Sequence, residues 1–295
     1  MRIAQRLMWI ALTSALGSVA HARSFEQHVA ADLHGEVQIV NVSGNIEVIG
    51  WDKAEVAVNA DLDTDATRVE IKSDKGRTSV RVSPASGGSS SGAVRLTVRV
   101  PQLSEVDVSA VNATLSSRGV LGRQELHTVS GDVRADIAAA NVEVKTVSGN
   151  VKLQGTGEPD HLRVESVSGD VTLTKGAGDL EATTVSGELN VALASARTVH
   201  IHTTSGDITF NVSIGHGALI EGETISGEFK VRASAAAGYQ YEVSSFSGDI
   251  NNCFGQEAER TSQHGPGTRL SGKRGAGDGE LRLRSLSGDI SLCDH

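Results

Sequence analysis

The chain has 295 residues and a formal net charge of −9 when histidine is neutral, and it contains 33 glycines, 4 prolines and 3% aromatic residues. Phosphate backbones would repel an acidic chain without a dense Lys/Arg stripe or a nucleic-acid-binding motif, so no nucleic acid partner is expected. Long helical periodicities are also missing, which favours an all-β protein.

The first predicted element is a secretory signal peptide over residues 1–22. It has a basic start with two arginines, a mostly apolar stretch at 7–19, and the small-x-small cleavage pattern Ala20-His21-Ala22. The alternative is an uncleaved membrane anchor, but the apolar stretch is shorter than the roughly 20 residues that span a bilayer. We therefore expect the mature chain, residues 23–295, to have no transmembrane segment and to be exported to the periplasm or cell surface of a bacterium.

After an early Val-Ser-Gly-Asn-Ile segment at 42–46, residues 54–101 predict an excursion of antiparallel strands. Alternating apolar residues mark strands at 54–60, 66–73, 78–83 and 94–100, with a turn at 74–76 and a Ser/Gly-rich loop at 84–92. We expect this excursion to form a small sheet beside the N-terminal end of a larger array, where it would cover an open strand edge.

The rest of the chain repeats a Ser-Gly pair, followed by Asp, Asn or Glu and then a large apolar residue. Neighbouring glycines of the regular array are 18 to 21 residues apart, which is near the coil length of a β-solenoid and too short for a helical repeat. We expect these pairs to be structural corners of successive coils, and they are Ser130-Gly131, Ser148-Gly149, Ser168-Gly169, Ser186-Gly187, Ser205-Gly206, Ser226-Gly227, Ser247-Gly248 and Ser287-Gly288. A serine that the fold repeats in every coil is not expected to be a nucleophile.

Apolar residues alternate with a period of two on both sides of each corner. In one repeat Val142 and Val144 lie six and four residues before the serine, and Val151 and Leu153 lie two and four residues after the glycine. Such alternation predicts strands with one buried and one solvated face. We predict a single-stranded parallel β-solenoid, β-helix-like, with about 18–21 residues per coil, in which residues 23–295 form a single elongated domain.

Residues 254–280 interrupt the array with a polar, Gly-rich insertion before a last coil at 281–292. Cys253 and Cys293, the only cysteines, each lie five residues after a corner glycine, so they share an outward position in coils that become neighbours when the insertion loops out. Strand spacing then puts their Cα atoms about 5 Å apart, which a disulfide tolerates, and export supplies an oxidising compartment. The sequence predicts a disulfide that fastens the terminal coil, with two free thiols as the alternative.

The repeated T-V-S-G-D/N-V-x-L coils, the segment Asn41 to Asp52, the pair Val100-Pro101 and the closing Ser285 to Leu292 resemble the bacterial putative-adhesin family of β-strand-repeat proteins, a domain of unknown function. The resemblance covers Ile39 to Leu292. It implies the same strand-repeat fold and an interaction role at the cell envelope or surface, and it supplies no catalytic residues.

The sequence contains two partial matches to catalytic and phosphate-binding motifs. The motifs H-E-x-x-H and C-x-x-C are absent, and the G-x-S-x-G match from Gly88 to Gly92 lacks the strand-turn-helix setting of a nucleophile elbow. Gly267 to Lys273 spells G-x-x-x-x-G-K, but Arg274 replaces the Ser or Thr of a phosphate-binding loop. Neither match is expected to have a function.

The residue after each corner glycine is usually acidic, and these residues are Asp132, Asn150, Asp170, Glu188, Asp207, Glu228, Asp249 and Asp289. Like charges one strand spacing apart repel, and a ladder of calcium ions would relieve that repulsion. However, the nonapeptide of calcium-binding β-rolls is missing, and Asp and Asn can instead hydrogen-bond nearby backbone amides at a corner. The second interpretation is favoured.

A pair of histidines is the remaining candidate for a metal site. The repeat register places Glu181 and Glu221 beside His200, and Glu223 beside His202. Imidazoles and carboxylates on one patch could hold zinc or copper. The outward row that contains the first histidine, however, consists of Glu143, Arg163, Glu181, His200 and Glu221. An alternating charge ladder of this kind stabilises strand pairing, and this interpretation is favoured.

These observations predict a noncatalytic interaction or structural module of the bacterial envelope that is adhesin-like, has no cofactor, and binds an unknown envelope protein or glycan. The alternatives are a carbohydrate-active β-helix enzyme, such as a polysaccharide lyase or hydrolase, and a calcium- or metal-binding solenoid. The enzyme would need clustered carboxylates in a groove, or a Lys or Arg beside them. A cleft lined by three or more acids beside an arginine would reverse this preference in favour of the enzyme.

Overall fold

The computed structural model describes residues 23–62, 67–84, 94–138, 141–158, 160–235, 238–261, 266–275 and 277–294. All 22 elements in these ranges are strands, which confirms the all-β class, and none of the described residues forms a helix that could cross a membrane. The predicted signal peptide, the Ser/Gly-rich loop from residue 85 onwards and the Gly88 to Gly92 match lie outside the described residues.

The strands fall into an N-terminal group, a repeated group and a C-terminal group. The first group is β1 (Arg23–Ala30), β2 (Glu36–Trp51), β3 (Glu55–Leu62), β4 (Thr67–Asp74), β5 (Arg77–Pro84) and β6 (Val94–Pro101). The repeated group is β7 (Glu105–Arg118), β8 (Gln124–Ser130), β9 (Val133–Ile137), β10 (Asn141–Ser148), β11 (Val151–Gly155), β12 (Asp160–Ser168), β13 (Val171–Ser186), β14 (Leu189–Ser205), β15 (Ile208–Ser226) and β16 (Phe229–Ala235). The C-terminal group is β17 (Gly238–Ser247), β18 (Ile250–Asn252), β19 (Glu259–Arg260), β20 (Thr268–Gly275), β21 (Gly279–Ser287) and β22 (Ile290–Cys293).

The repeated group is a β-solenoid-like stack of parallel strands. Val144 of β10 lies opposite Leu126 of β8 on one side and Val164 of β12 on the other. After the corner, Val151 of β11 lies between the equivalent valines Val133 and Val171. All of these side chains are buried, because the alternating apolar residues of each coil point inward and continue one column from coil to coil. The core cluster formed in this way runs from Val37 to Leu292.

The Ser-Gly corners use glycine because two backbones approach there. Gly169 has a φ of +125°, and a Cβ at this position would lie 2.3 Å from the carbonyl oxygen of Gly149 in the preceding coil. Both the positive φ and the contact exclude a side chain. Glycine therefore recurs along the chain because each of these corners stacks closely on the next.

The N-terminal excursion contains the predicted antiparallel strands but also extends the parallel stack. β3 is antiparallel to β6, β4 is antiparallel to β5, and β1 pairs with the outer edge of β3. In contrast to the prediction of a sheet beside the stack, β5 and β6 pair in parallel with the two halves of β2. This arrangement satisfies the open backbone edge of β2 while Val80 and Leu96, both buried, continue the apolar column.

The C-terminal coils are stacked in a different order from that predicted. The last coil in the sequence, β21 and β22, was expected to end the stack, but it lies between the coil of β15 and β16 and the coil of β17 and β18. β20 is antiparallel to the outer edge of β17, and β19 pairs with β20. The terminal coil is therefore the one that contains β17, and β20, a strand within the predicted insertion, covers its edge.

Cys253 and Cys293 form a disulfide with a Cα–Cα distance of 4.9 Å. It joins the end of β22 to the residue after β18, and the sequence separation of the two cysteines is 40 residues. The disulfide therefore ties the coil of β21 and β22, which we call the inserted coil, to the terminal coil of β17 and β18.

Candidate functional site

An exposed row of apolar side chains follows the stack at the residue before the corner serine, or before Asn112 in the coil of β7. We call this row the apolar ladder, and in stacking order it consists of Val42, Val111, Val129, Val147, Val167, Val185, Ile225, Leu286 and Phe246. These side chains are between 43% and 56% exposed, whereas Thr204 stands in the ladder position of one coil. Since strands in a sheet are about 4.8 Å apart, ten coils give the ladder a length on the order of 40 Å. An apolar row of this length, interrupted at Thr204, is unusual on a protein surface and is typical of an interaction site.

The sequence contains the signal for the ladder in the alternation of each repeat. In the coil of Ser148, residues Val142 and Val144 point inward, so strict alternation places Thr146 inward and Val147 outward. Counting one step further towards the corner identifies an outward apolar residue in nine of the ten coils. The same count identifies a threonine or serine that points inward at the preceding position, such as Thr146.

Those inward hydroxyls form a second row, directly beneath the apolar ladder. Several of them donate a hydrogen bond to the carbonyl of the corner serine in their own coil, namely Thr128 at 3.2 Å, Thr224 at 3.3 Å and Thr184 at 3.4 Å. Because a threonine can satisfy its hydroxyl locally in this way, it can occupy a buried position beside the corner. In these three coils the buried threonine therefore supports the turn that presents the ladder residue to solvent.

Two grooves flank the apolar ladder. One has a volume of about 650 Å³ and is lined by ladder residues Val129, Val147, Val167 and Val185 and, on its other side, by Lys145, Arg163 and Glu165. The other has a volume of about 420 Å³ and includes Ile225, Phe246 and Leu286. Both grooves combine an aliphatic wall with polar or charged side chains, which is the usual composition of a protein interface.

The corner residues after the glycines form a hydrogen-bonded ladder of their own. The backbone N–H of each following coil donates to the side-chain oxygen of the coil before it, as in Asn150 to Asp132 at 3.1 Å, Asp170 to Asn150 at 3.1 Å, Glu188 to Asp170 at 2.9 Å, Glu228 to Asp207 at 2.8 Å and Asp249 to Asp289 at 2.8 Å. Every acceptor in this set is Asp or Asn. The arrangement supports a structural role for these side chains without a metal ion.

The two candidate metal-binding histidines lie in the predicted register. His200 is paired with Glu181 and Glu221, and its Nδ1 lies 3.3 Å from the Glu221 carboxylate. His202 Nδ1 is 3.9 Å from Glu223. Arg282 of the inserted coil lies 3.3 Å from Glu221, so the carboxylate contacts both His200 and Arg282. In the described part of the chain, no group of three or more His, Cys, Asp or Glu side chains has the geometry to hold a metal ion.

A charged groove of about 540 Å³ lies on the outward face of the strands that precede the corners. Its lining includes the three acids Glu143, Asp179 and Glu181 and the two arginines Arg123 and Arg163. Each acid is paired: Glu143 with Lys145 at 2.6 Å, Glu181 with Arg163 at 3.0 Å, and Asp179 with Arg197. This groove meets the condition stated above for a carbohydrate-active enzyme in number and type of residues.

The pKa values of Glu143 and Asp179 argue against either of these residues as a general acid. The hydrogen bond from Lys145 lowers the pKa of Glu143. The guanidinium of Arg197, which donates to Asp179 Oδ1 at 2.7 Å, lowers the pKa of Asp179, and His161 adds to this effect from 3.0 Å. A glycoside hydrolase needs one carboxyl with a raised pKa that is protonated near neutral pH. Glu143 and Asp179 are shifted in the opposite direction.

The parallel stack, its Ser-Gly corners and its outward ladder define a strand-repeat protein of the β-solenoid type. Residues 34–233 match the model of the protein family Toastrack DUF4097. The chain therefore belongs to this family, whose function is unknown. The match confirms the resemblance derived from the repeated motifs. No curated protein matches the chain.

Three solved structures illustrate the likeness. A putative adhesin from Bacteroides fragilis is 10% identical, with coverage of 94% of this chain and 99% of that chain and a TM-score of 0.41. A putative lipid binding protein from Parabacteroides distasonis is 14% identical, with coverage of 92% and 96% and a TM-score of 0.45. A putative cell adhesion protein from Clostridium sporogenes is 10% identical, with coverage of 93% and 100% and a TM-score of 0.28. At these identities and scores the comparisons carry no argument about what this chain binds.

Proposed function

We propose that this chain is a noncatalytic, adhesin-like interaction module that is exported to the envelope of a bacterium and binds a protein there through its apolar ladder. The observation that carries the proposal is the ladder itself. Burial of solvent-exposed valine, isoleucine, leucine and phenylalanine side chains against a partner is favourable. The predicted signal peptide at 1–22 and a single elongated solenoid unit at 23–295 belong to the same proposal.

The charges beside the ladder favour a particular kind of partner. The corner residues Asp132, Asp170 and Asp207 form an acidic row a few residues beyond the ladder, and they are exposed or partly exposed. A partner that presents aliphatic side chains next to lysine or arginine matches both the apolar and the acidic row. An envelope protein can provide such a surface, whereas a glycan usually binds to aromatic side chains, which make up only 3% of this chain.

The proposal is tested by comparing two matched triple variants as bait on beads with an envelope extract of the source bacterium. The first variant carries Val147→Ser, Val167→Ser and Val185→Ser in the ladder, and the second carries Lys152→Ser, Thr172→Ser and Asn190→Ser on the outward face after the corner. All six positions are at least partly exposed, so both variants should melt at temperatures close to the wild type.

We expect wild type and the second variant to retain the same envelope protein and the ladder variant to lose it. Retention of the protein by all three baits would contradict the proposal, and so would capture that is lost only in the second variant. Release of the captured material by soluble polysaccharide would instead identify a glycan as the partner.

A carbohydrate-active enzyme is the second candidate function, because the charged groove brings together Glu143, Asp179 and Glu181 beside Arg123 and Arg163. The test is incubation of the purified chain with a panel of neutral and acidic polysaccharides, with product formation as the readout. The proposal predicts no cleavage. Cleavage that disappears in Glu181→Gln would establish the enzyme instead.

A further inference from the structure

The inserted coil occupies a slot that the preceding part of the chain leaves open. β16 ends at Ala235 and β17 begins at Gly238, yet the strands of these two coils do not pair directly, since β21 and β22 lie between them. The two coils are therefore two strand spacings apart, about 10 Å, which three extended residues can span. Without the inserted coil, both facing strand edges would present unpaired backbone groups.

The slot is selective for the segment that fills it. Leu281, Leu283, Ile290 and Leu292 are fully buried and complete the apolar column between the flanking coils. The backbone is satisfied on both sides: Phe229 N–H donates to the Asp289 carbonyl at 2.9 Å, and Ile290 N–H donates to the Asp249 carbonyl at 3.0 Å. A segment must offer this spacing of apolar residues and a Ser-Gly corner to fit.

Three residues separate β20 from the inserted coil in the sequence. β20 ends at Gly275 on the outer edge of β17, and β21 begins at Gly279 on its inner edge. Gly275 and Gly277 both have positive φ values, +64° and +72°. Asp278 is also held by His216, whose Nδ1 lies 2.5 Å from the carboxylate. A short, constrained hinge of this type favours exchange of the following element between copies.

We propose that the slot accepts the same coil from a second copy of this chain, so that two copies become joined by exchange of residues 279–293. The partner's segment has the required register by identity, and the contacts that it makes are those seen within one copy. At low concentration the chain's own coil fills the slot, and at high local concentration, as on a crowded envelope, exchange competes. This assembly uses the C-terminal slot and leaves the apolar ladder of each copy free for another protein.

The disulfide reports which copy supplied the coil. In an exchanged dimer, Cys253 of one copy is joined to Cys293 of the other. Its formation in vitro uses oxidised glutathione: the two thiols lose two protons and two electrons, the sulfur–sulfur bond forms, and the oxidant leaves as two molecules of glutathione. A linkage between copies is therefore a direct record of exchange.

The experiment mixes equal amounts of ¹⁵N-labelled and unlabelled full-length mature chain, unfolds and reduces them together, and refolds them with oxidised glutathione at a series of protein concentrations. After digestion, mass spectrometry measures the fraction of linked peptide that pairs a heavy cysteine with a light one. We expect this hybrid fraction to rise with refolding concentration and to be found in the dimer peak of gel filtration. A variant with four Gly/Ser residues inserted after Gly277 should show a lower hybrid fraction at each concentration, because its hinge is relaxed.

Two controls separate exchange from random oxidation. In the double variant Leu283→Asp, Ile290→Asp the coil cannot enter any slot, so its hybrid linkages measure random oxidation alone. In the double variant Cys253→Ser, Cys293→Ser the dimer should still form, because exchange does not require the disulfide. The proposal is overturned when wild type refolds to native monomer with no hybrid linkage at any concentration, and equally when the hybrid fraction matches that of the Leu283→Asp, Ile290→Asp variant.

Discussion

A difference of one methylene group decides which corner residues connect neighbouring coils. Asp132, Asn150 and Asp170 each accept a hydrogen bond from the backbone N–H of the next coil, while Glu188 makes no such bond among the described residues. A shorter side chain has fewer rotamers to fix and holds its oxygen close to its own backbone, where the next amide lies. The acidic row is thus explained by hydrogen bonding between coils.

The corner row gives the first prediction. Asp170→Ala removes the acceptor for the Glu188 N–H and should lower the free energy of unfolding by about 1 kcal/mol. Asp170→Asn keeps an acceptor of the same length, as Asn150 does naturally, and should change it by less than about 0.5 kcal/mol. Urea unfolding measures both. A loss for Glu188→Ala as large as that for Asp170→Ala would contradict the hydrogen-bond explanation.

The charged groove gives a prediction about pH. The folded-state pKa of Asp179 is lowered mainly by Arg197, so the ionised form stabilises the fold at pH values above the ordinary aspartate pKa of about 3.9. This contribution is lost as the pH falls through the lower, folded-state pKa. Asp179→Asn should therefore melt at a lower temperature than wild type at pH 7, and the two melting temperatures should converge towards pH 2. A difference that persists unchanged at pH 2 would show that the effect is not electrostatic.

Strands in this protein have two faces with different tolerance to charge. Val171 is buried between Val151 and Leu189, whereas the neighbouring Thr172 is directed outward between Lys152 and Asn190. The same alternation carries Val147 and Val167 to the surface as part of the apolar ladder. One strand therefore supplies both the core and the proposed binding surface.

Substitution on the two faces gives the third prediction. Val171→Asp buries an unpaired carboxylate in the apolar column and should cost at least about 3 kcal/mol, enough to unfold or truncate the array. Thr172→Asp should change stability by less than about 0.5 kcal/mol. Thermal melts followed by circular dichroism compare them. Equal sensitivity at the two positions would contradict strands with one buried and one solvated face.

The sequence predicted the coil and its register because each is encoded by local repetition. Ser-Gly corners 18 to 21 residues apart and period-two alternation identify which side chains are buried, and Glu181, His200 and Glu221 lie side by side as the register requires. The order of the last coils could not be predicted, because β21 fits equally well by pattern against either neighbour. The apolar ladder was encoded, but a valine beside a polar corner is not distinguished by composition from a valine in the core.

The stack is completed by the inserted coil, β21 and β22, which comes from the end of the sequence but lies between two earlier coils. The stack is covered at its N-terminal end by β1 and β3 to β6, and at its other end by β20, with the inserted coil locked one position inside. Because β21 contacts strands far from it in sequence, this part of the fold is completed only after the rest of the chain is in place. Nonlocal pairing of this type folds slowly.

Loss of the disulfide gives the fourth prediction. Replacing Cys253 and Cys293 by serine opens a link that spans 40 residues and should lower the free energy of unfolding by up to about 3–4 kcal/mol in the chain-entropy account. The C-terminal coils should lose hydrogen-exchange protection first, while the coils around Val144 retain it. Mass spectrometry of unreduced, alkylated wild type checks the link itself. Two alkylated cysteines in folded protein would contradict the stacking of β22 on β18.

The most direct test of the central claim is photocrosslinking from single positions in the living bacterium. A photoreactive amino acid replaces Val147, Val167 or Ile225 in the apolar ladder, and in matched chains it replaces Thr172 on the opposite outward face or Glu181 in the charged groove. If the ladder is the binding surface, the three ladder positions will form an adduct with the same envelope protein and the other two positions will not. Adducts from Glu181 alone, or equal yields from all five positions, would contradict the account.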